Sequence, residues 1–485
     1  MNNSLRLIFI FLSLLLLGSC LSEEEFNVKA GLNLKFEKDT LSLDTVITAQ
    51  PSNTYVVQLH NPNTTGVNIS SISLEKGNNS VFHVNADGQF LKDGIGHDFQ
   101  IKSKDSLRIF VEATLPPNQS DQAMLVEDRL IVQLQNGERQ SLVLRAYGQD
   151  VIPLKAQTIT SDMLLDAKRP YQVFDSLVVA ESATLRISPG VRLLFQARAS
   201  LIVRGRIEAN GTLQEPIVFR GDRLGLMFSN QPYDRIPNQW GGILIAPNSF
   251  ENQMNYCDIH SGAYCVECAA SDTTRTKLHI QNSVIHNTKG HGLKSTMSRI
   301  LVGNTQISNA GLDCINILGG SGEFVHCTIG QFYYFVNGDG VALRFANVDG
   351  NRSYPLSHLY FANCIITGRN QDDVAGSTDK TIGGTFNYFF RNCLLNTSID
   401  SQDARLSNCI SESSSSAEVR KDKNFLPAFD YNKLLFSFQL NPNSVARGKG
   451  DTTITVNSYP TDRNGRERLS DGASDMGCYE AIQTQ

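Results

Sequence analysis

The fold is decided by a motif that returns as Asn282-Ser283-Val284-Ile285, Asn304-Thr305-Gln306-Ile307 and His326-Cys327-Thr328-Ile329. Further copies are Tyr256-Cys257-Asp258-Ile259, Asn363-Cys364-Ile365-Ile366, Asn392-Cys393-Leu394-Leu395 and Asn408-Cys409-Ile410. The second residue of each copy is Cys, Ser or Thr, and we call it the ladder position. The middle copies lie 22 residues apart, and longer gaps indicate inserted loops. A period of about 20 to 30 residues is typical of a solenoid, whose units bury their apolar faces against one another.

The residues around each copy have the pattern of strands, as in Lys277-Leu278-His279-Ile280, and show no apolar spacing that suits a helix. Three short strands per turn account for the period, and about eleven turns would stack at the inter-strand spacing. Ladder residues would then line an inward column. The Asn before each would occupy a tight turn, because Asn tolerates a left-handed backbone. The sequence therefore predicts a parallel β-helix.

Composition restricts the possible partners and the number of domains. The 485 residues are enough for two or more domains, and the net charge of −5, with no basic cluster, argues against a nucleic-acid partner. Ten cysteines are too few for a disulfide scaffold.

Residues 1–19 have the layout of a signal peptide, because the apolar run at residues 7–17 is too short to span a membrane. The ending Leu17-Gly18-Ser19-Cys20 resembles the bacterial lipoprotein box, and this implies cleavage before Cys20 and lipid attachment there. Residues 20–26 form an acidic linker, in which Ser22-Glu23-Glu24-Glu25 is similar to the tag that routes some Gram-negative lipoproteins to the outer cell surface. The alternatives are ordinary secretion with an incidental cysteine and a merely solvated linker.

Residues 27–150 alternate apolar and polar side chains, as in Ser106-Leu107-Arg108-Ile109-Phe110-Val111, between turn signals such as Asn61-Pro62-Asn63. Strands at this spacing predict a β-sandwich. The region resembles the immunoglobulin-like modules of bacterial surface proteins, which space or present a neighbouring domain.

Residues 151–425 carry the β-helix, whose opening strands are separated by turns such as Pro189-Gly190. An irregular insertion at residues 222–238 precedes Trp240-Gly241-Gly242-Ile243. This order of motifs resembles the right-handed parallel β-helix surface lipoproteins of Gram-negative bacteria, a family mostly without assigned function. The resemblance implies an all-β architecture, a β-sandwich followed by a right-handed β-helix, and specifies little about activity.

Residues 426–485 are predicted to form a C-terminal cap. The run Asp475-Met476-Gly477-Cys478-Tyr479-Glu480, together with Arg466 and Arg468, resembles the closing motif of other β-helix surface proteins. A solenoid needs its last turn covered, since an open turn is an exposed sheet edge. Pairing of either arginine with Asp475 or Glu480 would hold such a cap, which we interpret as structural.

The cysteines allow two interpretations. Ladder cysteines on neighbouring turns lie near the spacing of a disulfide, but thiols that fill a core column are favoured; they are Cys257, Cys327, Cys364, Cys393 and Cys409. The pair Cys265 and Cys268 lacks the two further ligands of a closed zinc site, so we assign no metal ligand.

Counting eight residues beyond successive ladder positions gives Cys265, His291 and Asp313. A thiol, an imidazole and a carboxylate on successive turns would have the arrangement of nucleophile, base and orienting group. Three turn residues that merely share a column are the favoured alternative, so no catalytic residue is assigned.

The inserted loops near residues 337–385 contain acids that would suit calcium, and aromatic residues there and nearby would suit stacking on sugar rings. The alternatives are solvated loop acids and rings divided between core and surface, so calcium and every other cofactor stay unassigned. The candidate binding residues are Tyr333, Asp339, Asp372, Asp373 and Tyr388.

These observations predict a lipid-anchored protein of the outer membrane, exposed at the cell surface, whose β-helix presents a binding or adhesion face for glycan. A polysaccharide lyase or glycoside hydrolase acting at residues 337–385 is the first alternative, and a structural spacer in an envelope assembly is the second. The predicted partners are the membrane, through the anchor, and a polysaccharide or another envelope protein. Exposed rings on a flat face would favour binding, and a column of exposed acids with a base would favour an enzyme.

Overall fold

The computed structural model of the protein describes residues 25–28, 31–228, 231–333, 340–379, 381–400, 402–427 and 429–482. The described residues form two compact units, which divide between Asp150 and Val151. Strands make up most of the regular structure in both units, so the fold is all-β, as predicted.

The first unit is a sandwich of two sheets around one apolar core. Among the described residues, the strands of its six-stranded sheet are Phe26–Asn27, Thr40–Ile47, Gly66–Leu74, Ile95–Ile101, Met124–Leu134 and Arg139–Gln149. Those of the five-stranded sheet are Lys35–Phe36, Tyr55–His60, Phe82–Ala86, Gln89–Phe90 and Ser106–Ala113, and short 3-10 helices lie at Gly77–Asn79 and Lys92–Gly94. Alternate residues such as Leu107 and Ile109 are buried, which explains the alternating sequence pattern. The immunoglobulin-like identity of the sandwich stays a prediction.

The second unit contains a ladder of strands paired in parallel, one strand for each turn of the chain. In the described part of the chain this eleven-stranded sheet consists of Ile152–Lys155, Tyr171–Phe174, Arg192–Phe195, Ile217–Gly221, Cys257–His260, Val284–Thr288, Gln306–Ala310, Thr328–Gln331, Ile365–Gly368, Leu394–Leu395 and Ile410–Ser411.

A second parallel sheet supplies two further ladders of the coil. Its seventeen described strands are Thr158–Ile159, Met163–Leu165, Ser176–Val179, Thr184–Ile187, Ser200–Val203, Arg206–Asn210, Gly242–Ile245, Asn252–Asn255, Val266–Cys268, Thr276–Gln281, Leu293–Gly303, Ile315–Val325, Leu343–Ala346, Leu356–Ala362, Val374–Ser377, Phe386–Arg391 and Leu406–Ser407. Three parallel strands per turn around one buried core make a parallel β-helix, as the repeat predicted.

The ladder positions form a vertical column in the core. The backbone N–H of Cys257 donates to Ser283 Oγ at 3.0 Å, and that of Ser283 donates to Thr305 Oγ1 at 3.3 Å. In each of the seven copies the preceding residue has a φ between 48° and 54°. Asn recurs there because its side chain favours this left-handed backbone more than most others do.

The described cysteines are free thiols, and the ladder thiols fill the core column. Cys364 Sγ accepts a hydrogen bond from the backbone N–H of Cys327 at 3.4 Å, so neighbouring turns meet through these side chains. The packing interpretation of the ladder cysteines therefore describes this structure, and the disulfide alternative does not.

Short helices and hairpins lie outside the two parallel sheets of the coil. The two α-helices of the described residues are α1 (Ala417–Asn424) and α2 (Thr452–Ser458), and neither is long and apolar enough to cross a membrane. Three antiparallel hairpins and a 3-10 helix complete the regular structure: Leu226–Phe228 with Gln231–Pro232, Val348–Asp349 with Arg352–Ser353, Phe429–Asp430 with Leu435–Phe436, and Tyr233–Arg235.

The described residues after 426 pack along the side of the coil. The backbone N–H of Cys478 donates to Thr328 Oγ1 at 3.0 Å, and the hydroxyl of Tyr479 donates to Gln306 Oε1 at 2.9 Å. These contacts reach turns well before the last one, so the segment is a lateral strap. Covering of the last turn stays a prediction.

The predicted pairing within this strap is confirmed. Arg468 is fully buried, and its guanidinium contacts Glu480 at 2.5 Å and Asn304 Oδ1 at 2.6 Å. Arg466 instead donates to the backbone oxygen of Glu480 at 3.1 Å. The pair of Arg468 and Glu480 thus joins the strap to Asn304, one of the asparagines that precede the ladder positions of the coil.

Candidate functional site

The residues proposed as nucleophile, base and orienting group lie on successive turns. The backbone N–H of Cys265 donates to His291 O at 3.2 Å, and that of Asp313 donates to His291 Nδ1 at 3.3 Å. His291 Nδ1 lies 3.5 Å from Asp313 Oδ2. His291 and Asp313 therefore lie side by side as the count predicted, whereas the pairing of Val266 with Leu293 places Cys265 opposite Gly292, one position away from His291.

Their side chains are less suited to covalent catalysis. Cys265 is fully buried, its Sγ lies 3.5 Å from Ile259 O, and burial raises the pKa of the thiol to about 12. A protonated, enclosed thiol is a poor nucleophile. Asp313 already accepts from Arg344 Nε at 3.0 Å. The geometry thus supports structural roles, and a catalytic role for the trio stays a prediction.

The candidate loop acids do not converge. Asp373 is buried and accepts hydrogen bonds from Asn370 Nδ2 at 2.8 Å and Asn396 Nδ2 at 2.7 Å, and burial raises its pKa to about 6. Asp372 accepts from Thr397 Oγ1 at the surface. In the described part of the chain neither carboxylate belongs to a cluster of metal-ligating side chains. Asp339 and Cys20 lie outside the described residues.

The two candidate tyrosines have different surroundings. Tyr388 lies opposite the inward-facing Leu359, and its ring packs 5.0 Å from that of Phe345, so it belongs largely to the core. Tyr333 is 6% exposed and lines a cleft of about 290 Å³ together with Arg369 and other residues. Tyr333 therefore borders a cleft, whereas the ring of Tyr388 packs against the core.

An aromatic strip lies on the outer face of the strands Leu356–Ala362 and Phe386–Arg391. We define it as His358, Tyr360 and Phe389. The Tyr360 ring is 6.1 Å from each of the other two, with interplanar angles of 22° to His358 and 12° to Phe389. His358 is exposed and the other two are half-buried. The strip therefore offers the solvent a row of nearly parallel rings.

Charged groups flank this aromatic strip. Glu323 is the register partner of Tyr360 on the preceding turn, and Arg391 lies two residues beyond Phe389 and pairs with Asp451. Rings beside hydrogen-bonding groups suit a ligand with both apolar and polar surface.

A second cluster lies on the outside of the eleven-stranded sheet. His260 Nδ1 and His286 Nε2 lie 2.8 Å and 3.1 Å from the same oxygen, Asp258 Oδ1. The two imidazole rings are 4.8 Å apart with an interplanar angle of 30°. Their strands are neighbours in register, with His260 opposite His286. We call these three residues the Asp-His-His cluster.

The electrostatics of the Asp-His-His cluster follow from burial and proximity. Burial alone would raise the pKa of Asp258, but the two imidazoles outweigh it and hold that pKa well below its ordinary value. Burial lowers the pKa of His260, although Asp258 opposes the change. Burial therefore favours the neutral form of the His260 imidazole.

Sequence reasoning missed the Asp-His-His cluster, and a signal for it exists. His260 and His286 each lie three residues beyond a ladder position, Cys257 and Ser283, so the repeat stacks them. The sequence did not predict the aromatic strip, although Phe389 follows the candidate Tyr388, because His358 and Tyr360 lie a whole turn earlier in the coil.

Comparison with known proteins identifies part of the solenoid. Residues 157–271 match the family model of the pectate-lyase-like β-helix domain. No curated protein matches the chain. Among solved structures, the ASH / PapD-like domain of human CEP192 (PapD-like domain 7) is similar at 11% identity and a TM-score of 0.16, over 24% of this chain and 84% of that one, which supports no conclusion. A pectate-lyase-like β-helix domain fits a binding or polysaccharide-related function.

Proposed function

We propose that the protein is a lipid-anchored outer-membrane protein that binds glycan at the cell surface through the aromatic strip on its β-helix. The observation that carries the proposal is the row of nearly parallel rings at 6.1 Å spacing on an outer face of the coil. Sugar rings have apolar faces and polar edges, so they stack on aromatic side chains and bond to neighbouring polar groups.

The surroundings of the strip favour an extended ligand. Tyr360 and Phe389 occupy equivalent positions on successive turns, so their spacing follows the axis of the coil. A polymer lying along that axis would meet Tyr360 and Phe389 on two successive turns, with Glu323 before the rings and Arg391 beside them as hydrogen-bonding partners. Binding of this kind needs no catalytic group.

The enzyme alternative has weaker support in the same region. A lyase or hydrolase at residues 337–385 needs acids gathered around a substrate with a base beside them. Asp373 is instead buried between two asparagine side chains. The spacer alternative predicts an outer face of polar side chains, whereas the aromatic strip exposes rings on that face.

A glycan array probed with the full chain in detergent tests the binding proposal. The variants Tyr360→Ala and Phe389→Ala should each weaken binding about tenfold, equivalent to about 1.4 kcal/mol. Phe90→Ala is the matched control, because Phe90 is an exposed ring of the first unit, 57% exposed. Equal binding by all three variants, or release of reducing or unsaturated ends from the bound glycan, would overturn the proposal.

The anchor is tested separately. Cys20→Ser removes the thiol that would carry the lipid, so the protein should leave the outer-membrane fraction and lose metabolic labelling with a radioactive fatty acid. Retention of both in the variant contradicts the lipoprotein proposal and leaves glycan binding to be decided by the array.

A further inference from the structure

The Asp-His-His cluster has the composition of a metal site. Two imidazole nitrogens and one carboxylate oxygen, each from a different side chain, lie within 4.8 Å of one another. We propose that Asp258, His260 and His286 bind a divalent transition-metal ion of the Zn²⁺ class. This inference is independent of glycan binding, since the cluster belongs to the eleven-stranded sheet and the aromatic strip to the seventeen-stranded sheet.

The distances suit such an ion. Zinc binds imidazole nitrogen and carboxylate oxygen at about 2.0–2.2 Å, which places tetrahedral ligand atoms about 3.3 Å apart. Asp258 Oδ1 already lies 2.8 Å from His260 Nδ1 and 3.1 Å from His286 Nε2. Metal binding therefore requires Asp258 Oδ1 to move away from the two nitrogens by a fraction of an ångström, while the three ligand atoms, which lie within 4.8 Å of one another, close around the ion.

The ligand types select the class of metal. Imidazole suits Zn²⁺ and its neighbours in the first transition row, whereas Ca²⁺ and Mg²⁺ prefer a shell of oxygen atoms. Neighbouring turns of the coil hold the two rings in place, because Asp258 and His260 share one strand and His286 lies on the next. The site is therefore preformed by the backbone.

The other ring nitrogen of His260 has no hydrogen-bond partner among the described residues. His260 is only 5% exposed, so this nitrogen, Nε2, is buried. A buried polar atom without a partner costs about 1–3 kcal/mol. Asp258 is the partner of His260 Nδ1 only, so the described residues leave the second ring nitrogen of His260 without a hydrogen bond.

A second carboxylate, that of Asp234, lies near the Asp-His-His cluster, since Arg220 interacts with both Asp234 and Asp258. The backbone oxygen of Asp234 accepts from the hydroxyl of Ser261, the residue after His260, and Asp234 Oδ1 is itself buried without a partner among the described atoms. Arg220 pairs with the second oxygen of Asp234 at 3.2 Å, which limits its repulsion of a cation.

The site is open on one side. The side chains of Asp258 and His286 are 34% and 22% exposed, so an ion can enter from solvent. His286 also lines a cleft of about 180 Å³ with Gln306 and Tyr479. Three protein ligands leave at least one coordination position for water or an anionic oxygen from that cleft.

Titration of the metal-stripped full chain in detergent with Zn²⁺, followed by calorimetry, tests the proposal. We expect one Zn²⁺ per chain, no competition by Ca²⁺ or Mg²⁺ in excess, and visible d–d absorption from bound Co²⁺. His286→Ala and Asp258→Asn should weaken binding at least tenfold. His279→Ala is the matched control, because His279 is a half-buried histidine on the seventeen-stranded sheet and should bind as the wild type does.

Circular dichroism and urea unfolding verify that each variant is folded. If Asp258→Asn does not fold, His286→Gln supplies the second variant, since it keeps a hydrogen-bond donor for Asp258 and removes the imidazole. The proposal is overturned if the wild type shows no saturable Zn²⁺ binding, or if folded His286→Ala and His286→Gln bind as tightly as the wild type.

Discussion

Replacing Arg468 by methionine should destabilise the protein strongly, because it leaves a buried carboxyl without its partner. Arg468 is fully buried, whereas the Glu480 side chain is 9% exposed and accepts two further contacts only from the backbone N–H of Asp475. Removing one member of a buried ion pair costs about 3–5 kcal/mol. The strap would also lose its bond to Asn304 Oδ1.

The penalty should depend on pH. Burial raises the pKa of Glu480 above its ordinary value, and Arg468 opposes the rise, so Arg468→Met raises this pKa further. When the pKa of a carboxyl is higher in the folded than in the unfolded chain, the free energy of unfolding falls as the pH rises through the folded pKa. The difference between variant and wild type should therefore be larger near pH 9 than near pH 6, by up to about 1.4 kcal/mol per pH unit.

Urea unfolding of both proteins at the two pH values measures the effect. Arg447→Met is the control, because Arg447 is 41% exposed and its partner Asp471 is 3.5 Å away at the surface, where such a pair contributes under about 1 kcal/mol. The reasoning is refuted if Arg468→Met costs no more than this control, or if its penalty is the same at both pH values.

Three further predictions concern the coil. Asn282 has a φ of 51°, a left-handed backbone that Ala adopts only with strain. Asn282→Ala should therefore lower the free energy of unfolding by about 1–2 kcal/mol, and Asn282→Gly by about half as much. Equal urea midpoints for the two variants would show that backbone strain is not the cause. Burial raises the pKa of Asp373 from 3.8 to about 6, so the free energy of unfolding of the wild type should fall by about 2.4 kcal/mol between pH 4 and pH 7. The same pH dependence in Asp373→Asn as in the wild type would refute this. The buried thiols of the core column should not react with a charged thiol reagent until urea unfolds the coil, and the half-buried Cys409 should react first. Rapid labelling of Cys364 in the folded protein would show that the thiols are not packed in the core.

The local rules of the repeat explain why the solenoid was predictable. A left-handed turn needs a residue that tolerates positive φ, and Asn304 or Asn363 marks that turn wherever it recurs. An inward column needs small side chains of one shape, so Ser283 and Thr305 reveal the register. Each requirement repeats at every turn, and the sequence shows it many times.

The position of single side chains was less predictable. Tyr388 and Phe389 are adjacent, and only the register with Leu359 and Tyr360 shows that the first faces the core and the second the solvent. Cys265 lies one register position away from the column of His291 and Asp313, and its thiol is enclosed in the coil. Alternation determines that neighbours face opposite sides without stating which side is inside.

By itself the sequence determined the all-β class, the period of the coil and its ladder column, because these follow from contacts that every turn repeats. Only the tertiary structure decided that Asp258, His260 and His286 meet, and that the C-terminal strap lies beside Gln306 and Thr328. The repeat places His260 and His286 on adjacent turns but does not fix the distances between their side chains. The strap contacts join residues far apart in the chain and each occurs once, so no repeated pattern encodes them.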